Sequence, residues 1–82
     1  MSTSKQQIEA WLKKGNTGEN SHMIVMCDTF NWEDYPVYIS KKESASDKLE
    51  YCRTSSMQKV VEVYSYSIDL EQQLEQPRAF NL

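Results

Sequence analysis

A chain of 82 residues has room for one domain with a small core, so its net stability is expected to be modest. A hydrophobic fraction of 39% and a charged fraction of 26% exclude a disordered chain and fit a folded one. The net charge of −3 is spread without a basic stripe, and its only adjacent basic pairs are Lys13–Lys14 and Lys41–Lys42, which argues against a nucleic-acid partner.

Cys27 and Cys52 lack CxxC spacing and are fewer than a secreted mini-protein would use, so both are expected to be reduced and buried. No charged-then-apolar leader is visible, and the longest apolar run, Met23 to Cys27, is too short to cross a bilayer. A cytoplasmic address with no membrane partner is expected.

The first predicted element is an amphipathic helix. Thr3 or Ser4 can cap it, with Gln6 or Gln7 completing a capping-box pattern. Ile8, Trp11 and Leu12 form its apolar stripe, Lys13 and Lys14 suit its C-terminal dipole, and Gly15 is expected at C′. Gly15 to His22 reads as a linker. Residues 1–22 are thus an N-terminal helix and linker ahead of a compact ββαβα domain at 23–82. Trp11 is expected to rest on that domain; a detachable extension is the other reading.

Met23 to Cys27 is apolar at every position, as in a strand buried on both faces. Asn31 to Asp34 supplies turn residues, and Tyr35 to Ile39 alternates as a second strand that Pro36 confines to an edge. Ser44 to Arg53 predicts a weak helix with Leu49 and Cys52 as its buried stripe. Met57 to Ser67 fits helical spacing as well as β composition; the β-branched and aromatic run favours a strand over 59–66. Asp69 with Gln72 caps a last short helix running through Glu75 and ended by Pro77.

The expected fold is α+β, with element order α-β-β-α-β-α and a small three-stranded mixed sheet ordered 2-1-3, its first strand antiparallel to both neighbours. One helix covers one face. The other face needs the N-terminal helix, the C-terminal segment or a second copy of the chain; docking of the helix, and hence a monomer, is favoured over a homodimer.

Two functional readings follow. Asp28, Glu33 and Asp34 frame the hairpin turn with His22 at the start of the strand, the ingredients of a small metal-dependent hydrolase or nuclease with a histidine base. The competing explanation is that turns attract Asp, Asn and Glu for backbone reasons. Nucleophilic schemes fare no better: there is one His, Cys27 or Cys52 beside it lacks an activating motif, and there is no glycine-rich phosphate loop. No catalytic residue, cofactor or metal is assigned. The stronger feature is the ring set Phe30, Trp32, Tyr35 and Tyr38, which with Glu33 and Asp34 makes an aromatic, acidic hairpin surface of the kind that anchors protein partners.

The run Cys27-Asp-Thr-Phe-Asn-Trp-Glu-Asp-Tyr-Pro-Val-Tyr-Ile39 resembles small uncharacterised proteins of phages and mobile elements. Met57-Gln-Lys-Val-Val-Glu-Val-Tyr64 and the closing Gln73-Leu and Arg78-Ala-Phe80 are similar to them too, so the likeness spans roughly residues 23–82. It implies no activity, and it favours a small accessory or inhibitory protein that binds a host protein.

Overall fold

The computed structural model describes residues 4–54, 57–76 and 79–82. Among these residues three helices, α1 (Lys5–Gly15), α2 (Ala45–Arg53) and α3 (Leu70–Glu75), and three strands, β1 (Asn20–Asp28), β2 (Glu33–Ser40) and β3 (Gln58–Ser65), follow in the order α1-β1-β2-α2-β3-α3. Each helix starts where a short polar side chain can accept from an otherwise orphaned backbone N–H. Ser4 Oγ accepts from Gln7 N at 3.2 Å, Ser44 Oγ from Asp47 N at 3.4 Å, and Asp69 Oδ1 from Glu71 N at 2.9 Å. The alternative cap Thr3 and the expected stop Pro77 lie outside the described residues.

The sheet order is β2-β1-β3 with both pairings antiparallel. The parallel contact is an isolated bridge between Val63 and Phe80. β1 is central because its side chains are apolar on both faces: Met23, Ile24, Val25 and Met26 are all 0% exposed. Its start at Asn20 takes in the end of the expected linker, and His22 pairs with Ile39 on one side and Ser65 on the other.

Strand alternation divides the core in two. Ile24 and Met26 join Ile39, Val63, Leu49 and Cys52 beneath α2. Met23 and Val25 face the other way, into a cluster with Tyr64, Ala79, and Ile8 and Leu12 of α1; Leu70 and Leu74 of α3 pack against it. The N-terminal helix is therefore docked, and burying Ile8 and Leu12 contributes about 1.5–3 kcal/mol each.

Two phenols hold the end of α1. Tyr38 Oη donates to the Trp11 carbonyl at 2.8 Å and Tyr66 Oη to that of Leu12 at 2.9 Å, while Asn20 Nδ2 donates to the Gly15 carbonyl at 2.8 Å. Burial raises the pKa of both tyrosines, that of Tyr66 to about 12 with Tyr38 adding to the shift, so they remain donors well into alkaline pH. Gly15 differs from its expected role at C′. It is the last helical residue, and the residue with left-handed glycine backbone is Gly18, at φ 88°. Gly15 is needed for close approach instead, since a Cβ there would run into the Tyr38 ring and Tyr66 Oη. Helix propensity alone makes Gly→Ala favourable by about 1 kcal/mol. Gly15→Ala is nevertheless expected to destabilise by about 1–3 kcal/mol, the typical cost of overpacking, as read by urea titration.

Both sheet edges are blunted. On β2, Pro36 removes a donor, and Ser40 N is taken by Glu43 Oε1 at 3.3 Å. On β3, Val63 N donates to the Ala79 carbonyl at 2.9 Å, and Asn81 N donates to the Val63 carbonyl at 3.0 Å. Ser65, one turn of the ladder further on, pairs with the buried amide of Gln73.

The hairpin tip as candidate interaction surface

Between β1 and β2 the chain reverses over Thr29–Trp32. Its backbone donors are engaged one after another. Thr29 N donates to the Met57 carbonyl at 2.9 Å, Phe30 N to Asp28 Oδ1 at 2.9 Å, Trp32 N to the Asp28 carbonyl at 2.7 Å, and Glu33 N to Asn31 Oδ1 at 3.1 Å. Thr29 Oγ1 adds a second bond to the Met57 carbonyl at 2.9 Å, tying the loop to the start of β3. Asp28 and Asn31 thus serve the turn through their side chains, as these residue types do.

The geometry is imposed on an ill-suited residue. Trp32 has φ 59°, the left-handed region that glycine and asparagine favour, at a cost of roughly 1–2 kcal/mol for a bulky side chain. The side chain recovers little of this by burial, being 55% exposed; Lys59 Nζ stands 5.5 Å from the ring centroid, a contact worth about 0.5–1 kcal/mol at an exposed site. Phe30 is 79% exposed and Met57, beside the loop's anchor, 51%. The tip is a tethered loop presenting apolar rings to solvent.

The four candidate rings part company here. Tyr35 packs with Val37 against the cluster under α2, and Tyr38 lies against the cluster under α1 with its hydroxyl spent on the Trp11 carbonyl. Their parity on β2 sends them to opposite faces, and both faces carry helices. Glu33 is exposed at the foot of the loop opposite Asp28, and half-buried Asp34 is the strand neighbour of Cys27, whose other neighbour is Lys59. The contribution of Met57 and Lys59 is not apparent from local sequence, because it arises only when β3 pairs with β1.

The arrangement separates the groups a hydrolase would need. His22 pairs with Ile39 at one end of β1, whereas Asp28 pairs with Glu33 at the other, about 20 Å away at strand rise. Alternation also turns Asp34 to the opposite face from Asp28 and Glu33. Among the described residues no group of three His, Cys, Asp or Glu is placed to hold a metal ion. A pairing of Cys27 with the imidazole is excluded similarly. Cys27 is about 16 Å along the strand from His22. Both cysteines are free and buried, and burial raises both thiol pKa values, with neighbouring Asp34 adding to the shift at Cys27. No described helix is long and apolar enough to cross a membrane.

His22 has a structural consequence instead. Nδ1 hydrogen-bonds Ser21 Oγ at 2.8 Å, while the buried Nε2 has no hydrogen-bond partner among the described residues. Burial lowers its pKa from the ordinary 6.5, so the unfolded chain takes up the proton first as pH falls. Stability is therefore full above pH 6.5 and declines as pH drops from there through the lowered native value. Urea titrations of His22→Asn across this window are expected to lose that decline.

No protein-family model matches the chain, and comparisons with curated proteins and with solved structures find no match either.

Proposed function

We propose that this is a non-enzymatic interaction protein that binds a protein partner through the tip of its β1–β2 hairpin, with Phe30 and Trp32 as anchors and Glu33 and Asp34 on the rim. The observation that carries this reading is the exposed aromatic pair on a loop whose backbone is already fixed. A preordered loop loses little entropy on binding, and Trp in particular is enriched among residues that dominate binding energy. The left-handed Trp32 strengthens the case: backbone strain at a bulky residue is a cost to folding that its 55% exposed side chain and the Lys59 contact offset only in part.

The protein acts as a monomer in the cytoplasm; its blunted sheet edges and docked α1 support the first part of this reading, and the free Cys27 and Cys52 support the second. Its small size, and the resemblance of residues 23–82 to phage and mobile-element proteins, support the narrower role of an accessory or inhibitory protein acting on a host factor.

The test is comparative affinity capture from host lysate with the wild-type chain and the double variant Phe30→Ser, Trp32→Asn. Asn suits a left-handed backbone, so the variant should melt within a few degrees of wild type. A protein retained by wild type and reduced at least tenfold on the variant is the expected result. Equal retention by both would overturn the assignment.

A further inference from the structure

The tip is electrically lopsided. Asp28 and Glu33 are direct partners across the hairpin on the face of the sheet that carries α2; Asp28 Oδ1 accepts from Phe30 N at 2.9 Å, while Glu33 is exposed. On the other face the row across the three strands reads Asp34, Cys27, Lys59, and the negative and positive ends of that row offset one another. Lys59 also covers the Trp32 ring. Among the described residues no cation is paired with Asp28 or Glu33, so a pocket that receives Phe30 and Trp32 meets net negative charge along one wall and a balanced wall opposite.

Resting on the reading of the tip as a binding surface, we infer that the partner is a protein whose apolar pocket is flanked on one side by Lys or Arg side chains, with Asp28 and Glu33 setting the orientation in which the tip enters. Complementary charge at a rim speeds encounter and fixes register, whereas an unmatched or like charge opposes the wrong orientation. The same carboxylates repel phosphate, so nucleic acid and anionic lipid surfaces are poor fits to this end of the molecule.

The probe is a yeast-displayed library of randomised cyclic peptides, selected against the immobilised full-length chain and titrated against four proteins. These are wild type, the tip double variant, Glu33→Lys, and Glu71→Lys, which alters an exposed acid on α3 beyond the opposite end of β3. The expected peptides carry Lys or Arg, lose at least tenfold in affinity on the double variant and on Glu33→Lys, and change less than twofold on Glu71→Lys. Peptides that depend on the tip but tolerate Glu33→Lys would overturn the basic-partner inference while leaving the tip reading intact. Peptides that bind the double variant as well as wild type would overturn the tip reading itself. Equal losses on Glu33→Lys and Glu71→Lys would reduce the effect to bulk charge and also overturn the inference.

Discussion

Replacing Ile24 with Asp is expected to leave the chain without a cooperative unfolding transition. Ile24 is 0% exposed, sits between Val37 and Val63 in the central strand, and faces Leu49 and Cys52 from α2. Asp loses the burial of the isoleucine side chain, worth about 1.5–3 kcal/mol. It also places a carboxylate where its apolar neighbours provide no cation, at a cost of several kcal/mol more. Stability of roughly 0.05–0.15 kcal/mol per residue gives a chain of this size about 4–12 kcal/mol in all, so the two losses together consume most of it. Urea titration followed by tyrosine and tryptophan fluorescence reads the result. Ile24→Val, expected to lose about 0.5–1.5 kcal/mol, is the control for mere truncation. A cooperative Ile24→Asp transition close to that of wild type would show that β1 is not the buried centre of the sheet.

Gln73→Leu is expected to be the next most damaging change, although Gln73 lies in a polar helix of only six residues. Its amide is 0% exposed and completes the edge of β3: Oε1 accepts from Ser65 N at 2.7 Å, and Nε2 donates to the Ser65 carbonyl at 2.8 Å. Nε2 also lies 3.2 Å from the Ile68 carbonyl and 3.3 Å from that of Asp69, closing the turn into α3. Leucine of similar size strands the Ser65 donor and acceptor at a position only 2% exposed. At about 1–3 kcal/mol for each unsatisfied group, the loss should be roughly 2–6 kcal/mol. For a domain this small that lowers Tm by about 10 °C or more. Gln72→Leu, one position away and exposed, should change stability by less than about 0.5 kcal/mol. Equal effects at the two positions would refute the edge-closing role.

These two residues also mark where local sequence is informative. Ile24 belongs to an apolar run with no polar interruption, and a short run of that kind has few places to go but the centre of a sheet. Pro36 points as directly to an edge, and Ser4, Ser44 and Asp69 to helix starts. Gln73 gives no such signal, since nothing in Leu-Glu-Gln-Gln-Leu-Glu separates it from Gln72; only the arrival of α3 beside Ser65 does so. Gly15 is similar. A glycine after two lysines suggests a helix stop, while its actual constraint is the nearness of Tyr38 and Tyr66, which come from elsewhere in the chain. At the candidate site the turn and its rings are visible locally. Their division into exposed Phe30 and Trp32 and packed Tyr35 and Tyr38 depends on helices covering both sheet faces, a tertiary fact. The acid cluster shows the converse: His22 and Asp28 are close in sequence, but an extended strand holds them apart, which leaves the turn explanation for Asp28 and Asn31.

Site-specific photocrosslinking in the host cell tests the central claim most directly. A benzophenone side chain introduced as Phe30→p-benzoylphenylalanine samples the tip. Ile68→p-benzoylphenylalanine samples another exposed apolar position, 43% exposed against 79% for Phe30, beyond the other end of the sheet. The account predicts a discrete protein adduct from position 30 that disappears when Trp32→Asn is added, and no corresponding adduct from position 68. The same adduct from both positions, or one from position 68 alone, would contradict it.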